Sequence, residues 1–244
     1  MLEPTLIAGV FALAGLVKGV IGLGLPTISM GLLALLMPPA EAAALLIVPS
    51  LATNVWQMLA GANLLSLLRR LWLTMLGVCA GTWAGAGLMT GSHGQLGTAL
   101  LGIALAGYAV TGLTSLRFSV GTSAEPWLGP LAGGTTGLIT AATGVFVIPA
   151  VPYLQAIGLE KDDLVQALGL SFTVSTLALA VNLAMAGTFN LSLAGPSIGT
   201  LAMAAAGMWL GQELRTRLSP ATFRVWFFAA LLVLGLYLLA RACV

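Results

Sequence analysis

Charge is scarce in this chain: Lys, Arg, Asp and Glu together make up only 7% of its 244 residues. A water-soluble domain carries roughly 25%. With 59% hydrophobic residues and a mean hydropathy of +1.06, the exterior has to face lipid. Cysteine is nearly absent. Cys79 and Cys243 are the only two, which excludes a disulfide framework and a cysteine-rich metal site. The one histidine, His93, sits in the polar turn GSHGQ, and no GxSxG occurs. Neither a serine hydrolase nor a histidine-based metal centre can be built from that, and no cofactor is implied. A net charge of +2 gives no footprint for nucleic acid. Basic residues are also missing from Met1-Leu2-Glu3-Pro4, and apolar sequence continues where a cleavage site would turn polar. The first apolar run therefore reads as a retained span rather than a removable leader.

What remains is a series of ten apolar segments, near 5–21, 25–37, 42–60, 72–90, 95–115, 126–142, 145–158, 164–185, 192–211 and 222–240. They lack the alternation of barrel strands, so they predict helices. The expectation is an all-α integral membrane protein, a single membrane domain over 1–244 with the lipid bilayer as its constant partner. A homo-oligomer is compatible with the sequence. If every segment crosses, Arg69, Arg70, Arg117, Lys161, Arg215, Arg217 and Arg224 share one side, Arg241 lies on the other and Lys18 falls within a span. The basic side is the cytoplasmic one, which puts both termini outside a cell inner membrane.

Two halves of the chain resemble each other. GTWAG at 81–85 matches GMWLG at 207–211, Ala60-Gly61 matches Ala186-Gly187, and Gly15 and Gly19 match Gly133 and Gly137. Five segments per half is an odd number, so the second half starts from the opposite side. Repeat one covers approximately 1–117 and repeat two approximately 124–244. Inverted repeats of this kind characterise secondary transporters, with the substrate between the halves near mid-membrane.

The second and seventh segments have only about 13 residues, roughly 20 Å of helix against a hydrocarbon core of about 30 Å. Each follows a glycine-containing break: Gly22-Leu23-Gly24-Leu25-Pro26-Thr27 in one half, Thr140-Ala141-Ala142-Thr143-Gly144 before Val145 in the other. A helix restarting inside the bilayer has unpaired N–H groups and the positive end of its dipole, and glycine lets a ligand approach them. Pro26 loses no hydrogen bond at such a start. Two such starts would make a donor-rich concavity suited to an anion. Lys18, one turn before the first break, would be an intramembrane cation. The bland alternative is that it snorkels to the interface. In the third segment Ser50, Thr53, Asn54 and Gln57 share a face; in the eighth, Ser171, Ser175 and Asn182 do. Interhelical hydrogen bonding would explain either stripe alone, whereas the pairing favours a lined path. The glycine ladder Gly77, Gly81, Gly85 and the pair Gly207, Gly211 point to close helix packing. Gly22-x-Gly24 is not a dinucleotide fingerprint: Thr27 holds the third glycine place and no strand precedes it.

Residues 15–57, GLVKGVIGLGLPTISMGLLALLMPPAEAAALLIVPSLATNVWQ, resemble the opening hairpin of the TauE/SafE family of membrane permeases, with GLITAATGVFVIPAVPYLQAIG at 137–158 as the partner motif. The resemblance runs over essentially the whole chain. It implies export of sulfite, sulfonates such as sulfoacetate, or related organosulfur anions across a prokaryotic inner membrane. The triple glycine usual at the family's break is Gly22-Leu23-Gly24-Leu25-Pro26 here, and only Gly144 remains in the second half. The expected mechanism has a small anion between the breaks. N–H groups near Leu25 to Thr27 and Gly144 to Phe146 hold its oxygens, Lys18 balances its charge, and one repeat rocks against the other. Glu41, Glu125, Glu160, Asp162, Asp163 and Glu213 fall at segment ends, so no buried carboxylate relay is evident. The rivals are a cation or metal transporter and a non-transporting scaffold.

Overall fold

The computed structural model describes residues 2–90, 94–114, 119–188, 194–215, 217 and 219–242; His93, Arg117 and Cys243 lie outside them. Ten α-helices run along the described residues: α1 (Leu2–Ile21), α2 (Leu25–Leu33), α3 (Pro39–Leu59), α4 (Leu64–Ala84), α5 (Gly94–Thr114), α6 (Glu125–Thr143), α7 (Ala150–Ala156), α8 (Lys161–Met185), α9 (Ala194–Arg215) and α10 (Pro220–Ala242). Six of them, α1, α3, α4, α5, α8 and α10, are long and apolar enough to cross a membrane. α6 and α9 are of similar length but are diluted with glycine, threonine and serine.

Local chemistry sets the starts. Proline occupies the first turn of α2, α3 and α6, where its missing N–H would be unpaired in any case. Asp162 and Asp163 in the first turn of α8 face the positive end of its dipole. Two expected boundaries are corrected. The fourth helix begins at Leu64 rather than near 72, because Arg69 and Arg70 lie inside its first two turns instead of in a loop. The seventh is seven residues long and begins at Ala150 rather than 145, residues 145–149 being non-helical.

α3 and α8 form the centre: 61% and 67% of their span residues are buried, against 28–39% in the other four spans. α2 is short but enclosed, with eight of its nine residues buried. All six tryptophans (Trp56, Trp72, Trp83, Trp127, Trp209 and Trp226) are exposed, as amphipathic rings are at a bilayer surface.

Four helix pairs dominate the packing: α1 with α9, α4 with α6, α3 with α8, and α5 with α10. The first two are close crossings made by glycine. A Cβ added at Gly15 would lie 2.1 Å from the Ala204 carbonyl oxygen, and one at Gly207 would lie 2.0 Å from that of Ala12. A Cβ added at Gly133 would lie 2.1 Å from the Thr74 carbonyl oxygen, and one at Gly81 would lie 2.0 Å from that of Gly134. Contacts rise together along both partners, so each of these pairs runs parallel.

Cross-links gather the helix ends into two groups. At one end Arg70 binds Glu125 through two nitrogens (2.8 and 2.6 Å) and also the Ile157 carbonyl (2.8 Å). Asn63 reaches Asp163 at 2.8 Å there, and Arg224 the Gly112 carbonyl at 3.0 Å. At the other end Arg241 donates to the Leu35 carbonyl and Asn182 to that of Thr82, both at 3.2 Å. Arg69, Arg70, Lys161, Arg215, Arg217 and Arg224 thus share the first end, and Arg241 sits at the second.

Candidate functional site

Lys18 is buried, only 5% exposed, in the last turn of α1. Its ammonium donates to Thr53 Oγ1 at 3.0 Å and to Asn54 Oδ1. Those residues lie five and six positions before the end of α3, about 8 Å in from it at 1.5 Å per residue. The side chain therefore points into the bundle rather than snorkelling outward. The Asn54 amide then donates on to Ser50 Oγ (3.1 Å) and Thr176 Oγ1 (3.4 Å), with Ser50 Oγ and Thr176 Oγ1 also 3.4 Å apart. A chain of neutral groups thus runs from Lys18 on α1 through α3 to α8.

Pro49 helps hold this arrangement. It interrupts the backbone ladder of α3, and the Thr53 hydroxyl donates back to its carbonyl at 2.8 Å while accepting from Lys18. Among the described residues no carboxylate lies within ion-pair distance of Lys18. A buried cation without an acidic partner is unusual, because intramembrane charges normally pair.

At the first break Gly22 and Gly24 take φ values of 76° and 110°, which other residues rarely adopt. Gly24 precedes α2 with no side-chain cap, and the first paired N–H is that of Ile28, to the Gly24 carbonyl at 2.9 Å. The N–H groups of Leu25 and Thr27 have no partner among the described residues, and Pro26 has none to offer. Thr27 Oγ1 is fully buried and also without a hydrogen bond, as is Ser29 Oγ two residues on.

The second break is different. Gly144, at φ 71°, donates to the Thr140 carbonyl at 2.8 Å, and the Val145 N–H is taken by Thr143 Oγ1 at 3.1 Å. Thr140 and Thr143 turn their own hydroxyl protons back onto Thr136 and Ile139 carbonyls. Of the N–H groups from Gly144 to Phe146 expected to hold substrate oxygens, the first two are engaged in these local hydrogen bonds. Beyond the break the Phe146 ring packs on Phe172 with centroids 5.3 Å apart. That contact lays the segment against α8 beside Ser171 and Ser175, whose hydroxyls are buried without partners.

Gln57, one turn beyond Thr53, and Asn182 tie helices together, Gln57 donating to the Val165 carbonyl at 3.0 Å and Asn182 to that of Thr82. The sequence reading missed Thr176 and Ser29. Thr176 was within reach, because the spacing that relates Gly61 to Gly187 also carries Ser50 onto Thr176. Ser29 follows Thr27 by two residues on a helix, off any stripe, and only the enclosure of α2 marks it. Gln166, also missed, is buried and holds the end of α3 through the Met58 (2.8 Å) and Gly61 (2.9 Å) carbonyls.

No curated protein and no solved structure matches the chain. A family model described as Sulfite exporter TauE/SafE matches residues 7–238, nearly the whole length. With that match over nearly its whole length and six helices long and apolar enough to cross a membrane, the chain belongs to the TauE/SafE family of membrane transporters.

Proposed function

We propose that this protein exports a small sulfur oxyanion, such as sulfite, sulfoacetate or a related sulfonate, by alternating access. The observation that carries the proposal is Lys18: a buried ammonium held by the neutral groups of Thr53 and Asn54, with no carboxylate against it. Such a centre favours a bound anion and repels a cation, which speaks against the metal and cation reading. The unpartnered N–H groups of Leu25 and Thr27, the Thr27 hydroxyl, and the hydroxyls of Ser171 and Ser175 supply donors for its oxygens. A scaffold needs none of these.

Two inverted repeats, approximately 1–117 and 124–244, are part of the proposal. Their support is the pairing pattern: the first helix of each half crosses the fourth of the other, and the third and fifth helices pair with their counterparts. α1 runs toward the arginine-rich end and α6 away from it. Glycine contacts put Gly77 and Gly81 in the places of Gly207 and Gly211, one helical turn from the register suggested by aligning 81–85 with 207–211. The arginine-rich end is taken as cytoplasmic, in a cell inner membrane with both termini outside. An anion leaving a negative-inside cell then gains about 2.3 kcal/mol per charge per 100 mV, enough to drive efflux without a coupling ion.

The test is flux of sulfite, sulfoacetate, thiosulfate and chloride in proteoliposomes, comparing wild type with Lys18→Gln. Sulfur oxyanions are expected to move and the variant to lose at least about tenfold in rate, the worth of one charge-assisted contact. Unchanged affinity and rate in Lys18→Gln would sink the site, and absence of any anion flux would sink the function.

A further inference from the structure

We infer that the occupied site is electrically neutral, so that the transported species is a sulfur oxyanion of single negative charge, in preference to a dianion or a zwitterion. The inference rests on the anion-export reading above and narrows its substrate class.

Lys18 is the only charged side chain among the buried described residues. Every other buried polar side chain among the described residues is a neutral dipole. Ser50, Thr53, Asn54 and Thr176 are joined to it in one hydrogen-bond chain. Thr27, Ser29, Ser171 and Ser175 have hydroxyls without partners. Such groups can bind oxygen atoms, yet they cannot cancel a second full charge.

The second half adds no cation. Where Lys18 accepts the N–H of Gly22, the residue accepting the N–H of Gly144 is Thr140, and its hydroxyl is spent on the Thr136 carbonyl. The described arginines outside the interior lie toward the two ends of the bundle. Arg70 is engaged by Glu125 and the Ile157 carbonyl, and Arg241 by the Leu35 carbonyl. The start of α2 contributes a partial positive charge and two N–H donors, less than one elementary charge.

One buried cation therefore faces whatever is enclosed. A monoanion brings the total to zero. A dianion leaves one uncompensated negative charge in a medium that solvates it poorly, and a zwitterion leaves the ammonium uncompensated while placing a second one near it. Charge selection of this kind does not depend on a close steric fit, because it acts through the sum of charges enclosed.

Three two-carbon sulfonates of similar size and identical head group isolate the effect: 2-hydroxyethanesulfonate (one negative charge), sulfoacetate (two) and 2-aminoethanesulfonate (none net). Initial uptake into wild-type proteoliposomes is measured at matched subsaturating concentrations, with the potential clamped to zero, and repeated for Lys18→Gln and Lys18→Arg. The expected result is that 2-hydroxyethanesulfonate moves at least about tenfold faster than either of the others. That advantage should persist in Lys18→Arg and disappear in Lys18→Gln. Sulfoacetate moving as fast as 2-hydroxyethanesulfonate through wild type, with flux still lost in Lys18→Gln, overturns the inference and leaves anion export standing. A tenfold preference that survives intact in Lys18→Gln also overturns it, since the selection would then lie elsewhere. Failure of all three sulfonates, sulfite and thiosulfate to move removes the export reading itself. The wild-type ratios decide the inference even where a variant does not fold.

Discussion

At both breaks a glycine in the left-handed region donates its N–H, at 2.8 Å, to the carbonyl four residues back: Gly22 to Lys18 and Gly144 to Thr140. From there the two diverge. After Gly22 a second glycine, Gly24, sends the chain straight into α2, whose Leu25 and Thr27 N–H groups stay unpaired beside a buried hydroxyl. After Gly144 the next N–H is capped by Thr143, five residues pass without helix, and α7 follows with seven. One break keeps its donors open and carries the lysine. The other engages the N–H groups of Gly144 and Val145 locally, leaves those of Phe146, Val147 and Ile148 without an acceptor among the described residues, and carries threonine in the matching place. Similar frames thus differ in charge: the first half carries the buried lysine, and the second a threonine whose hydroxyl is bonded to its own helix.

The largest effect that could break this comparison concerns the glycines. Gly24 has φ 110° and ψ −14°, and a Cβ there would press on Val17 at 3.2 Å. Gly24→Ala is expected to lose about 1–3 kcal/mol, read as a lower melting temperature in detergent. Gly144, at φ 71° and ψ 3°, sits nearer the left-handed well, and its Cβ would meet the flexible end of Met30 at 2.8 Å. Gly144→Ala should therefore lose less, and equal losses would mean the two breaks are mechanically equivalent.

A second, smaller contrast pairs two threonines. Thr143→Val removes the acceptor of the Val145 N–H and should cost about 1 kcal/mol of stability, with flux through the folded protein held within about twofold. Thr27→Val deletes a hydroxyl that has no partner, so melting should shift little while flux falls about tenfold, one hydrogen bond to a charged ligand. Reversed outcomes, with Thr27→Val unstable and Thr143→Val inactive, would exchange the roles assigned to the two breaks.

The smallest effect lies at the meeting of α3 and α8. Ser50→Ala leaves the Asn54 amide its 3.4 Å contact to Thr176, so a stability change below about 1 kcal/mol is expected by thermal melting. A larger loss would mark Ser50 as a keystone of the helix pair rather than part of the polar chain.

Much of this was legible before the fold. Scarce charge and long apolar runs give the helical membrane class outright, and Ser50, Thr53 and Asn54 at helical spacing predict one buried face. The glycines of α4 and α9 announce close crossings. What escaped was of two kinds. Arg69 and Arg70 looked like loop residues because hydropathy registers charge, while the backbone registers only helix propensity, which arginine has in plenty. Whether the N–H groups after Gly144 are open or capped depends on the Thr143 rotamer and on where α7 resumes, and neither leaves a mark in residue spacing. Thr176 was hidden by the neighbouring Ser175, which fitted a stripe while Thr176 fitted the repeat.

The glycine crossings also bear on which parts can move together. α1 comes from the first half and α9 from the second, α4 from the first and α6 from the second, and each pair is in contact at carbonyl distance. Sliding one half of the chain past the other would tear both seams at once. The natural rigid blocks are therefore hybrids, each stitched from both ends of the polypeptide. The halves are interlaced like the two sides of a clasp, and neither is a free-standing lever.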